Sequence, residues 1–130
     1  MKKHKLSSKW TLKKPLYIDK KDKRYKKYAK QLKEDGFCNC ETWALDSVIS
    51  EFILPRLKKF KEVNICFPPD LTSEKWDAIL DEMIFAFEWN MIDDLSEEYR
   101  KLGKEKQIAN WKRHEEGLKL FAKYFRDLWW

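Results

Sequence analysis

The chain contains few of the residues that build tight turns. Its 130 residues include only three glycines and four prolines. An all-β fold needs a turn after each short strand, and glycine and proline supply many of the conformations that such turns require. The sequence therefore predicts an all-α fold. Seven Trp, eight Phe and five Tyr residues can each bury about 150–250 Å² of surface, so a chain of this length can form a hydrophobic core.

Apolar side chains recur at helical spacing along the chain. Tyr25, Tyr28, Ala29 and Leu32 lie on one face of the first predicted helix, and basic residues occupy its other faces. Later segments repeat the same period, which predicts a compact four- or five-helix bundle. The predicted helices cover residues 20–34, 39–61, 73–91, 93–102 and 104–128.

Local signals indicate where several of these helices begin, end or bend. Gly36 is placed to end the first helix, and Thr72 is placed to cap the third. Pro55 removes one backbone hydrogen bond and clashes with the preceding turn, so we expect a kink or a break near residues 53–54. Gly117 costs about 1 kcal/mol relative to alanine inside a helix, which indicates close approach of another helix.

Positive charge is concentrated at the start of the chain. Residues 1–35 carry 14 Lys or Arg and 4 Asp or Glu, a net charge of +10, whereas residues 36–130 carry a net charge of −4. We expect residues 1–19 to form a loosely ordered basic N-terminal arm and residues 20–130 to form a single helical domain. The charge asymmetry predicts an anionic partner that is attracted to one end of the protein.

The basic side chains around the first predicted helix are candidate partner-binding residues. We expect the aromatic stripe to dock this helix and to leave its basic face toward solvent, where the face can bind a polyanion such as nucleic acid. The alternative is a surface that is merely solvated. The candidates are Lys20, Lys21, Lys23, Arg24, Lys26, Lys27, Lys30 and Lys33.

The cysteines offer a weak metal-site hypothesis. Cys38 and Cys40 are too close in sequence for an ordinary structural disulfide, and the total of three is odd, so we expect reduced thiols. Together with Cys66 and either His4 or His114 they could supply four zinc ligands, but the spacing is not that of a zinc knuckle. We therefore predict no metal and no cofactor.

Acidic residues of the third helix, and one histidine, are the other groups with catalytic potential. The carboxylates could bind a divalent cation or form a dyad, as in a metal-dependent nuclease. They could also form a solvated helix face, or attract the protein's own basic arm. His114 reads as a surface histidine, with a general-base role as the alternative. The carboxylates are Glu74, Asp77, Asp81, Glu82 and Glu88.

A second candidate set lies near the predicted bend and at the C-terminus. Asp46 and Arg56 could form a structural ion pair at the Pro55 bend, or could contact a ligand. Of the adjacent Trp129 and Trp130, one ring is expected in the core, and the other is left to stack on cations, on a base or in a partner's pocket. Trp43 joins this set as a possible ligand contact.

Several short motifs resemble those of one protein family. They are Gly-Phe at 36–37, Glu-Thr-Trp-Ala-Leu-Asp at 41–46, the segment around Pro-Arg-Leu at 55–57, Leu-Thr-Ser-Glu-Lys-Trp at 71–76, and residues 117–121 followed by the terminal Leu-Trp-Trp. Over residues 36–130 the chain thereby resembles small uncharacterised proteins of tailed phages and prophages. The resemblance implies no particular activity, although small accessory proteins of this kind often act by stoichiometric binding.

These observations favour a non-enzymatic, phage-type accessory protein. We expect a host-takeover or anti-defence factor in the host cell cytosol, with nucleic acid or a nucleic-acid-binding host protein as its partner. No apolar run is long enough to span a membrane. The alternatives are a binding protein for a small anionic ligand such as a nucleotide, using Trp43, Asp46, Arg56 and a terminal Trp, or a protein-interaction module that self-associates into a homo-oligomer.

Overall fold

The computed structural model describes residues 14–130, and in that range every regular element is helical. The predicted all-α class is confirmed. Most of the proposed N-terminal arm, residues 1–13, lies outside the described residues. The elements are α1 (Tyr25–Asp35), a first 3₁₀ helix (Asn39–Thr42), α2 (Leu45–Val63), α3 (Ser73–Asn90), α4 (Glu97–Leu102), α5 (Lys104–Lys123) and a second 3₁₀ helix (Phe125–Asp127).

The chain divides into two compact units. The first covers residues 1–48 and the second covers residues 49–130. The first unit contains α1 and the first 3₁₀ helix, and the second contains most of α2 with α3, α4 and α5. The expected division into an arm at residues 1–19 and one domain at residues 20–130 stays a prediction.

Helix α1 begins five residues later than the periodicity predicts. The side chain of Asp19 accepts a hydrogen bond of 2.7 Å from the backbone N–H of Lys21, and that of Asp22 accepts one of 2.8 Å from the backbone N–H of Arg24. Such short-range bonds hold the backbone in turns that compete with helix. At the other end, Gly36 adopts a φ of 88° and terminates the helix as predicted.

The first unit has a small core that includes a disulfide. Tyr28 and Leu32 of α1 are buried against Cys38 and Cys40, which are bonded to each other. The expectation of two reduced thiols is therefore wrong for this structure. Cys38 has an extended backbone and the chain then turns into the first 3₁₀ helix, which places the two Cα atoms 5.4 Å apart, within the range that a disulfide spans.

Helix α2 begins at Leu45, and the segment at residues 39–42, expected to be α-helical, forms a 3₁₀ turn instead. The helix then continues through Pro55, so the break expected there does not occur. Leu57, two residues after Pro55, is buried in the core, and its burial contributes hydrophobic stabilisation against the proline's cost of about 3 kcal/mol.

The core of the second unit is built on one face of α3. Its buried side chains Trp76, Leu80, Met83 and Phe87 follow the 4,3,4 spacing of a helix face. The hydroxyl of Thr72 accepts a hydrogen bond of 3.2 Å from the backbone N–H of Lys75, which confirms the predicted N-cap. The core is completed by Leu57, Tyr124 and the partly buried Ile53, Leu54, Phe60, Leu71, Ile79, Ile84, Leu118, Leu120, Phe121 and Leu128.

Helices α3 and α5 meet at Gly117, as the sequence predicts. A Cβ atom on Gly117 would clash with the backbone carbonyl oxygen of Glu82 and would lie 2.6 Å from the Cβ of Ala86. Helix α5 ends at Lys123, short of the predicted residue 128, and the second 3₁₀ helix follows it.

Candidate functional site

All eight basic side chains predicted to bind a partner are exposed in the structure. They lie in the turns before α1 and on α1 itself. Together they form a patch that we call the basic surface. The surface consists of Lys20, Lys21, Lys23, Arg24, Lys26, Lys27, Lys30 and Lys33.

The lysines of α1 share one side of the helix. At 3.6 residues per turn, Lys26, Lys27, Lys30 and Lys33 fall within an arc of about 120°. The buried pair of Tyr28 and Leu32 occupies the opposite side of the helix. The expected docking of α1 by its apolar stripe, with the basic face outward, is confirmed.

Few of these charges are neutralised within the described chain. Arg24 pairs with Asp22 at 3.0 Å, and Lys30 lies 3.7 Å from Glu34. In residues 14–130 no carboxylate oxygen comes within 4.0 Å of the six other ammonium groups. These six, the unpaired lysines, are Lys20, Lys21, Lys23, Lys26, Lys27 and Lys33.

A tryptophan stands at the edge of the basic surface. The ring of Trp43 meets that of Tyr28 edge to face, with centroids 5.7 Å apart, and the guanidinium carbon of Arg24 lies 5.3 Å from the Trp43 centroid. Trp43 nevertheless keeps 48% of its surface exposed. The basic surface therefore has a partly exposed aromatic side chain beside it, a combination typical of proteins that bind unpaired nucleotides.

Asp22 holds Arg24 in this arrangement. Its carboxylate accepts hydrogen bonds from the Arg24 Nε and Nη2 atoms at 3.1 and 3.0 Å. These bonds, together with the one from the Arg24 backbone, lower the pKa of Asp22 to about 2, and the same pairing raises the pKa of Arg24. Sequence reasoning missed Asp22. The signal was an aspartate two residues before an arginine at the start of a helix, where aspartate forms local turns.

The acidic face of α3 serves a different purpose from the cation site or dyad considered from sequence. Three of its five carboxylates pair with cations of α2 and α5, so they link helices within the second unit. Hydrogen bonding to its carboxylate partner raises the pKa of both Lys61 and Arg113. The pairs are Lys61 with Asp81 at 2.6 Å, Lys58 with Glu88 at 2.7 Å, and Arg113 with Glu82 through two bonds of 2.7 and 2.8 Å.

The potential zinc ligands are divided between the two units. Cys38 and Cys40 are joined to each other, and Cys66 is a free, exposed thiol of the second unit. Over residues 14–130, no group of three or more His, Cys, Asp or Glu side chains is arranged to hold a metal ion. His4 falls outside the described residues.

His114 packs among aromatic rings instead of standing free on the helix surface. Its Nε2 atom shares a hydrogen bond of 3.0 Å with the side-chain oxygen of Asn90, and its ring meets Trp111 edge to face. Trp111 in turn donates a hydrogen bond of 3.0 Å to the Tyr99 hydroxyl. Burial lowers the pKa of His114, outweighing the opposite effect of Glu115.

Arg56 contacts Phe52, which lies one turn earlier on α2. Its Nη1 atom donates a hydrogen bond of 2.7 Å to the Phe52 carbonyl oxygen, and its guanidinium lies 3.9 Å from the Phe52 ring centroid. Asp46 lies in the first turn of the same helix. The expected role of Asp46 and Arg56, as a structural ion pair or as ligand contacts, stays a prediction.

A small pocket of the second unit does include Arg56. Its lining is completed by Ile53, Leu57, Phe60 and Leu128, and its volume is about 170 Å³. Sites for small molecules usually measure about 300–1,000 Å³. Neither Trp43 nor Asp46 lines the pocket, so it gives little support to the nucleotide-binding alternative.

The two C-terminal tryptophans both lie at the surface. Trp129 is 68% exposed and Trp130 is 63% exposed, so the expectation that one of them enters the core is wrong. The helical structure ends at Asp127, and Leu128 packs against the core in their place.

In the part of the chain that the structure describes, no helix is long and apolar enough to cross a membrane. No protein-family model, curated protein or solved structure matches this chain. The likeness to small phage proteins therefore stays a hypothesis that the short sequence motifs carry.

Proposed function

We propose that the protein is a non-enzymatic nucleic-acid-binding protein whose basic surface contacts the phosphate backbone. The observation that carries the proposal is the set of six unpaired lysines, which are exposed in the turns before α1 and on one side of α1. The local balance favours an anion, because residues 19–35 contain eight basic and four acidic side chains, a net charge of +4.

The physical basis is the release of counterions from nucleic acid. Each ammonium group that neutralises a phosphate frees condensed cations, so affinity comes largely from a sequence-independent electrostatic contribution. Lysines that already paired with carboxylates would have to exchange one anion for another and would gain less. The unpaired lysines have no such ion pair to break.

Three of the five α3 carboxylates, and His114, are engaged in contacts other than those that an enzymatic alternative would need. Asp81, Glu82 and Glu88 form ion pairs between helices, and His114 is hydrogen-bonded to Asn90 among aromatic rings. We therefore favour stoichiometric binding as the mode of action. A phage-type accessory role in the host cytosol, directed at nucleic acid or at a nucleoprotein of the host defence, extends this proposal on the strength of the sequence motifs.

Charge reversal within the basic surface tests the proposal. The variant Lys26→Glu with Lys33→Glu is compared with Lys106→Glu with Lys112→Glu, which makes the same change in net charge on exposed positions of α5. Fluorescence anisotropy with a labelled oligonucleotide should show an affinity loss of about tenfold or more for the first variant and a much smaller loss for the second. Equal losses in the two variants would show that net charge alone governs binding.

Affinity capture from host cells gives an independent test. Partners that are retained by the full chain should fall away when the lysate is treated with nuclease, if nucleic acid forms the contact. Retention of the same partner after nuclease treatment, with undiminished yield, would instead show a direct protein contact.

A further inference from the structure

The indole of Trp43 is held in place from two sides. The ring of Tyr28 lies at 5.7 Å and nearly perpendicular to it, and Tyr28 is itself only 8% exposed. Arg24 lies over the Trp43 ring, and Asp22 fixes the guanidinium through two hydrogen bonds. A large ring that is already ordered loses little conformational entropy when a ligand stacks on it.

Trp43 is partly exposed beside a strongly basic segment. Almost half of Trp43 remains exposed, at 48%. Arg24, which lies over the ring, belongs to the basic surface, and its neighbour in the chain, Lys23, is one of the unpaired lysines. A partly exposed indole and cations for phosphate contacts are thus combined within one compact unit.

Unpaired nucleotides have the chemistry that fits this combination. In a duplex, each base is stacked between its neighbours and its face is not available to a protein surface. In a single strand, a base can stack on an aromatic side chain while the flanking phosphates contact lysine or arginine. A duplex that contacts the protein only through its phosphates gains no affinity from the aromatic ring.

We propose that Trp43 is a stacking platform for an unpaired base, and that the preferred ligand of the basic surface is single-stranded nucleic acid. This inference rests on the proposed function, since the lysines supply the phosphate contacts. Arg24 and Asp22 act as positioning residues that keep the indole oriented, and Trp43 makes the contact with the base.

The test compares two probes and three variants. The probes are a fluorescein-labelled 12-nucleotide thymidine strand and a 12-base-pair duplex, and the readout is anisotropy. Trp43→Leu removes the aromatic ring, Trp43→Phe keeps a smaller one, and Phe125→Leu removes another exposed aromatic ring as a matched control. We expect Trp43→Leu to weaken single-strand binding about tenfold and to change duplex binding less than twofold.

The Trp43→Phe variant should retain most of the single-strand affinity, and Phe125→Leu should behave as the unmodified chain. The slope of log affinity against log salt should be unchanged by Trp43→Leu, because no phosphate contact is lost. Thermal unfolding of each variant establishes that the first unit remains folded.

Two results would overturn the inference, and they are distinguishable from failure of the proposed function. Undiminished single-strand binding by Trp43→Leu, or an equal loss on both probes, excludes stacking while phosphate binding stands. Absence of binding to either probe by the unmodified chain would overturn the proposed function and the inference together.

Discussion

The backbone of Gly117 in α5 lies against Ala86 in α3 with no space for a side chain between them. A Cβ atom on Gly117 would lie 2.6 Å from that of Ala86 and would clash with the Glu82 carbonyl oxygen. The glycine is buried, and its position sets how closely α3 and α5 approach. Arg113, one turn earlier on α5, then reaches Glu82 with two hydrogen bonds.

Replacement of this glycine should destabilise the protein. Gly117→Ala gains up to about 1 kcal/mol in helix propensity, but it forces α3 and α5 apart, at a cost of typically 1–3 kcal/mol or more. We expect a net loss in the free energy of unfolding by urea. Ala109→Gly, at an exposed position of the same helix, should lose about 1 kcal/mol from propensity alone. A more stable Gly117→Ala variant would contradict the close approach.

Acidification below neutral pH should weaken the fold through His114. Burial lowers its pKa in the folded protein below the usual 6.5, so the unfolded chain takes up the proton first. The contribution of the neutral His114 ring to the free energy of unfolding is therefore fully present above about pH 6.5. It is lost as the pH falls toward the pKa of His114 in the folded protein. Urea unfolding between pH 7.5 and 5.5 should show this decline, and His114→Gln should flatten it.

The Asp22 carboxyl should titrate far below an ordinary aspartate. Its pKa is lowered to about 2 by the hydrogen bonds from Arg24. Carbon-detected NMR titration should find this value, and Arg24→Gln should return it toward 3.8. Because the folded pKa is the lower one, the pairing is complete above pH 3.8 and is lost as the pH falls toward 2. An unchanged Asp22 titration in Arg24→Gln would show that the pair does not form in solution.

Alkylation should find a single free thiol in the unreduced protein. The structure joins Cys38 to Cys40 and leaves Cys66 exposed. Treatment with iodoacetamide under denaturing, non-reducing conditions should add one group by intact mass, and prior reduction should raise the number to three. Three additions without reduction would exclude the disulfide. The result bears on Trp43, since the bridge lies in the turn that precedes it.

Signals that act within a few residues were readable from the sequence. Gly36 ends α1 and Thr72 caps α3, each for a reason that depends on local backbone geometry. Gly117 indicated a close helix approach because glycine is unfavourable inside a helix unless packing requires it. The outward basic face of α1 was likewise predictable, because Tyr28 and Leu32 recur at helical spacing.

Features that depend on tertiary contacts were not readable in the same way. The break expected at Pro55 is absent, because packing of the helix around it outweighs the local penalty. The carboxylates of α3 looked like a free acidic face, and only the fold shows that cations of α2 and α5 reach Asp81, Glu82 and Glu88. The position of Trp43 beside Arg24 similarly depends on how the first 3₁₀ helix returns toward α1.

Salt dependence of binding shows whether the unpaired lysines meet phosphates. The full chain is titrated into a labelled oligonucleotide over a series of salt concentrations, and log affinity is plotted against log salt. Six contacts predict a slope of about −5 on a duplex and about −4 on a single strand. A flat plot would contradict the account, because binding would then owe nothing to the lysines of the basic surface.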